Sequence, residues 1–102
     1  MRTLRFLVNQ QKMIKDPDCN FSEIVSGTRG YLRADFLFSD EWKGCAVAAV
    51  FSCVDGAEAV PVVNGACEVP GLVSDKKLWW VSAVGAKGDY RITSNKVEVR
   101  QK

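Results

Sequence analysis

Apolar and polar residues alternate along most of this chain, and the alternation predicts strands rather than helices. Leu4, Phe6 and Val8 repeat at period two through Thr3, Arg5 and Leu7, a first strand with one buried face. Asn9-Gln10-Gln11 turns the chain, and Lys12 to Ile14 is expected to pair back. Asp16-Pro17-Asp18 is a breaker cluster. Phe21 to Val25 reads as a short apolar patch, strand or irregular, ended by Ser26-Gly27-Thr28-Arg29-Gly30. The strongest alternation follows. Leu32, Ala34, Phe36 and Phe38 fall on one face and Tyr31, Arg33 and Asp35 on the other, so the charges decide which side is wet. From Cys45 to Phe51 both faces are apolar, which predicts a central strand whose second face is covered by a loop or a partner.

Turn residues punctuate the second half. Asp55-Gly56 and Asn64-Gly65 read as hairpin turns of the primed type, because both supply residues that tolerate positive φ. Asn64-Gly65 sets Val63 opposite Ala66 and Val62 opposite Cys67. Pro61 lacks a ladder donor and predicts an edge strand. Pro70 to Asp75 reads as a loop, Lys77 to Val84 as a strand, and Gly85 to Asp89 as its turn. Tyr90 to Thr93 and Lys96 to Arg100 complete about seven or eight short strands, the number expected of a sandwich. No segment sustains a helical period, and no linker or repeat divides the chain. Residues 1–102 are read as one β-sandwich domain.

Charge narrows the classes of function. The 102 residues carry a net charge of +2. The basic residues Arg2, Arg5, Lys12, Lys43, Lys76, Lys77 and Arg100 are scattered among acids, whereas a nucleic-acid face concentrates them. No nucleic-acid partner is expected. The apolar run after Met1-Arg2 stops at Asn9, too short for a signal peptide, and Cys45 to Phe51 is too short to span a bilayer. The expectation is therefore a cytosolic product, with no membrane partner and with reduced thiols. Cys45 and Cys53 on one continuous strand would be about 26 Å apart, beyond disulfide reach. Cys45 and Cys67 read as buried small hydrophobes.

Candidate chemistry is sparse. The chain contains no histidine, so Ser-His and Cys-His nucleophilic schemes are absent and no catalytic residue is nominated. Asp40-Glu41 and the pair Asp16 and Asp18 read as solvated turn acids. Asp16-Pro17-Asp18-Cys19-Asn20 resembles the opening of a calcium loop, but Phe21 stands where glycine is needed and Gly27 where the bidentate glutamate should be. No C-x-x-C pair and no glycine-rich phosphate loop occurs, so neither a metal nor a cofactor is expected. A carbohydrate-binding module is the alternative reading, resting on Tyr31, Trp42, Trp79 and Trp80 as stacking surfaces. Trp79 and Trp80 are adjacent on a strand and point to opposite faces.

The segments Tyr31-Leu32-x-Ala34-x-Phe36-x-Phe38-Ser39-x-x-Trp42-x-Gly44, Ala49-Val50-Phe51, Cys67-x-Val69-Pro70 and Arg91-Ile92-Thr93-x-Asn95 carry a resemblance. They are similar to small β-sandwich modules of tailed-bacteriophage and prophage tail, baseplate and receptor-binding proteins, in particular the N-terminal domain of baseplate upper proteins. The resemblance implies an immunoglobulin-like antiparallel sandwich and a non-enzymatic virion-associated role in tail or baseplate assembly. It also implies synthesis in the bacterial host cytoplasm, with the virion tail as destination. In multidomain relatives a receptor-binding region follows the module, whereas this sequence stops at Lys102; docking, decoration or assembly is the role expected.

Physics gives the shared motif a structural task. Ser39-Asp40-Glu41 can cap one helical turn, Trp42 can fold over the open end of a core holding Phe36, Phe38 and Phe51, and Gly44 permits a left-handed turn into the next strand. Open edges need blocking, and Pro61 and Lys77 read as blockers. Lys96 to Arg100 is expected near an edge. Trp79, Trp80, Val97 and Val99 are the candidate interface to other tail proteins or to a second copy of the chain.

Overall fold

The computed structural model describes every residue from Met1 to Lys102. Nine strands form in the order β1 (Arg2–Asn9), β2 (Lys12–Lys15), β3 (Leu32–Phe38), β4 (Ala46–Cys53), β5 (Gly56–Val62), β6 (Ala66–Glu68), β7 (Leu78–Lys87), β8 (Tyr90–Thr93) and β9 (Val97–Arg100). They make two packed sheets: β2-β1-β3-β6, and β5-β4-β7-β8 with β9 also on β7. The chain is an all-β sandwich. The pairing of β3 with β6, against β5-β4-β7-β8, repeats the B–E and C′–C–F–G pairings of an immunoglobulin sandwich.

One pairing departs from the antiparallel expectation. β1 and β3 run parallel, Leu4 beside Ala34 and Phe6 beside Phe36. A parallel return needs a crossover of about a dozen residues or more, and the irregular segment Asp16 to Tyr31 supplies it. Phe21 to Val25 forms no strand. Instead Phe21 packs edge-on against Phe6 with ring centroids 5.4 Å apart, and Ile24 is buried. The Arg2 guanidinium donates to the carbonyls of Asn20, Ser22 and Glu23, which moors the crossover to the start of β1.

The alternating strands bury the faces that their patterns select. Leu4, Phe6 and Val8 of β1 meet Leu32, Ala34 and Phe36 of β3, and the opposing sheet contributes Ala49, Phe51, Trp79, Val81, Ala83 and Val99. Phe6, Phe36 and Phe38 stack in succession, 5.4 and 5.7 Å between centroids. β2 pairs with β1, as the turn at Asn9-Gln10-Gln11 implies. Pro61 lies on β5, an edge strand. A two-residue hairpin closed by Cys53 and Gly56 makes alternate β5 residues face β4, so Pro61, opposite Ala48, turns its missing donor outward and costs no ladder bond.

Several local expectations are corrected. At Asn64-Gly65 both residues have positive φ, 52° and 77°, and Val63 bridges Ala66, as the primed turn requires. The other hairpin turns on Val54-Asp55, with only Gly56 at positive φ (134°), so Asp55-Gly56 is not a primed pair. Pro70 to Asp75 contains one helical turn, Gly71–Ser74 (α1), which buries Val73. β7 continues through Gly85 to Lys87, because β8 extends the ladder to Lys87 opposite Tyr90. Lys77 precedes an interior strand and its carbonyl accepts from the Gln101 amide, so it blocks no edge. β4 is central, and the chain itself covers its second face only in part: Ala46 is exposed and Ala48, Val50 and Ser52 are half-buried.

Candidate functional site

The Phe36–Gly44 motif closes one end of the sandwich. Asp40–Trp42 forms a 3₁₀ turn, but the Ser39 side chain does not cap it. Its hydroxyl accepts the Gln10 amide at 2.8 Å and so ties this turn to the β1–β2 turn. The same hydroxyl beside Glu41 holds that carboxyl below its usual value. Trp42 is 3% exposed, its indole N–H donates to the Gln10 carbonyl at 2.8 Å, and its ring lies 5.0 Å from Phe38. On its other side the ring lies against Gly85, where an added Cβ would come within 2.9 Å of it. Gly44 takes φ 78°, the left-handed turn into β4. Phe36 and Phe51 are buried and Phe38 half-buried. Trp42, Phe38 and Gly85 pack together at this end of the sandwich.

The polar clusters are spent on folding. Asp16 accepts the Asp18 amide and pairs with Arg5 at 3.3 Å, and both hold its carboxyl below the usual range. Asn20 turns its side-chain oxygen to Ser22. These are two of the three side-chain oxygen groups of the calcium-like segment, and they satisfy their own turn; the Asp18 carboxylate makes no such bond. A recess of about 220 Å3 lies between the crossover and β3 beside Tyr31. Its cation, Arg2, is already committed to three carbonyls. All four cysteines are free. Cys45 and Cys67 are half-buried rather than fully buried, and burial, then Asp35, pushes the Cys67 thiol up to about 11.

The candidate interface is only partly on the surface. Trp79 is 0% exposed and tilts against Phe51 at 5.7 Å. Val99 is also fully buried, and Val97 is half-buried against the core. Trp79 and Val99 are therefore withdrawn as contact residues: both sit on the inward face, opposite each other in the β7–β9 ladder. Trp80 is the residue that points outward. The aromatic platform required by the carbohydrate reading does not assemble. Trp42 and Trp79 are buried, and Tyr31 and Trp80 share the outward parity of different sheets.

What surrounds Trp80 was not legible as a site one strand at a time. The outward positions of β7 are Leu78, Trp80, Ser82, Val84 and Ala86. Those of β4 are Ala46, Ala48, Val50 and Ser52, and the register adds Ala57, Ala59 and Pro61 from β5. No charged side chain stands on this face of the three strands. Charges begin only at the β8–β9 border, with Arg91, Glu98 and Arg100 outward. The signal was present in the apolar second face of Cys45 to Phe51. Only the sheet order joined it to Trp80 and to the alanines of β5. Contiguous apolar patches of this kind mark interaction surfaces.

Compared with known proteins, the chain matches no family model, no curated protein and no solved structure.

Proposed function

We propose that this domain is a non-enzymatic docking module that binds protein through the outer face of the β5-β4-β7 sheet. The observation that carries this reading is the uncharged, mostly apolar surface around Trp80, facing away from the core. The solvated face of an antiparallel sheet is ordinarily polar, and here Ser52 and Ser82 are the only polar side chains on the outward positions of the three strands. Two further features support a scaffold: Trp42 and Phe38 help to close the core, and the Asp16 and Glu41 carboxylates satisfy local donors. A bacteriophage or prophage tail or baseplate is the proposed setting, on the resemblance of that motif and its companion segments.

The test is co-expression with the proteins encoded beside this chain, which this reading expects to include tail or baseplate proteins. Ser82→Arg and Ala48→Arg each place a charge in the middle of the face. Both side chains are half-buried but outside the core, so each change should cost about 1 kcal/mol and leave the fold intact in thermal unfolding. Both should abolish co-purification. A partner retained through both substitutions would show that the docking surface lies elsewhere.

A further inference from the structure

We infer that the free side of β5 is a strand-addition site that turns away a second copy of this chain and takes an antiparallel protein strand with a cation opposite Glu58. This edge is separate from the outer face proposed above, and the inference does not rest on that reading. Backbone accounting selects the strand. The other edges are stitched within the chain. Met13 of β2 donates its amide to the Asn95 side chain at 2.6 Å and accepts from it at 3.1 Å. The Gln11 side chain donates to the Thr93 carbonyl of β8 at 3.2 Å, and just beyond β9 the Lys102 amide reaches the Ile24 carbonyl at 2.7 Å. β6 has three residues, and Ala66 exchanges bonds with Val63. β5 has seven residues, and it hydrogen-bonds to β4 alone.

Gly56, Glu58, Val60 and Val62 direct their backbone groups to β4, so the residues between them turn theirs away. The free side therefore presents the amides of Ala57 and Ala59 and the carbonyls of Ala57, Ala59 and Pro61, all on exposed residues. Such a row is what an added strand pairs with.

Register decides what fits. In a second copy paired about Glu58, Ala57 of each chain exchanges both bonds with Ala59 of the other, but the two Glu58 carboxylates stand directly opposite, which is destabilising. Paired about Ala59, the two Ala59 residues exchange both bonds, but Pro61 has no amide to give the facing Ala57 carbonyl. Each of the two well-bonded registers is thus spoiled by one residue. A strand with a cation opposite Glu58 keeps every bond of the first register and replaces repulsion by attraction. Glu58 is free for that contact. It shares the face of Phe51, is exposed at the rim of the sheet, and joins no ion pair.

The Glu58→Lys variant of this chain supplies such a strand and is the probe. Isotope-labelled wild type is titrated with unlabelled variant to roughly 1 mM, and its backbone amides are followed by nuclear magnetic resonance. The Ala57 and Ala59 amides should shift saturably, with an affinity at least ~5-fold tighter than for unlabelled wild type. No shift at these amides, or equal affinity for the two proteins, overturns the inference. Adding Ala59→Pro to the probe removes an outward donor and no bond to β4, and should weaken pairing about 5-fold. Ala57→Pro takes its place if that protein misfolds, and pairing unchanged by the proline overturns the inference too. Ser82→Arg in the labelled chain should leave the titration unchanged, because Ser82 lies on β7, beyond β4. Pairing lost with it would put the contact on the outer face and overturn the edge site.

Discussion

Trp42 is held on three sides, by the Gln10 carbonyl, by the Phe38 ring and by the bare backbone of Gly85. Removing the ring leaves a cavity and an orphaned carbonyl, so Trp42→Ala should cost about 3–5 kcal/mol in chemical denaturation. An unchanged midpoint would show that the end of the sandwich is sealed by something else. Gly85→Ala tests the same contact from the other side. The new methyl would meet the indole at 2.9 Å, and about 1–3 kcal/mol should be lost by overpacking. Cys67 offers a pH readout. Its thiol is pushed up to about 11 from 9.0, chiefly by burial. The folded state therefore holds this proton more tightly than the unfolded chain does. The corresponding stability is complete below pH 9.0 and is lost as pH rises toward about 11. Cys67→Ala should flatten the decline of the unfolding midpoint over that interval relative to wild type; identical slopes would exclude this thiol as a contributor.

Among the elements, the hairpin joining β5 to β6 has the most demanding geometry. It carries the chain from one sheet to the other through Asn64 and Gly65, both at positive φ. A Cβ on Gly65 would also approach the Phe36 carbonyl at 3.1 Å. Gly65→Ala should therefore destabilise by about 1–3 kcal/mol, whereas Gly88→Ala, with φ 58° but open space around it, should cost less. Equal losses at the two sites would show that backbone strain alone matters. The parallel β1–β3 pair makes a contrasting point. Its strands were readable from period two, but their direction was not. Direction depends on a crossover whose folding rests on the Arg2 guanidinium and on Phe21 packed against Phe6.

Across the whole molecule, the last residues act as a clasp. The Gln101 side chain donates to the carbonyls of Ser74 and Lys76, and its amide to that of Lys77. Lys102 donates its amide to Ile24, accepts from Ser26 and pairs with Glu23 at 2.7 Å. One dipeptide thus ties the crossover and α1 to the β9 end of the larger sheet. Truncation after Arg100 should raise amide exchange from Ser22 to Gly30 and around Ser74, while the β4–β7 ladder stays protected. Loss of protection in β4 at the same rate would mean that the clasp supports the fold globally.

Period-two alternation was enough to determine the strands, their buried faces and the β-sandwich class, because which side of a strand is wet is set locally by its own charges. Turn chemistry and the resemblance nominated Trp42 and Gly44, and its missing donor the edge position of Pro61, whereas Phe36, Phe38 and Phe51 follow from the same rule. It could not decide between Trp79 and Trp80, since neighbours on a strand always oppose each other and only the arrangement of the two sheets says which side is interior. It offered Val99 to the surface for the same reason. The apolar face around Trp80 required more still: Ala57, Val50 and Ser82 are distant in sequence and become one surface only when β5, β4 and β7 lie side by side. Alternation specifies each strand by itself; adjacency is a property of the assembled sheet, and that is where the candidate site arises.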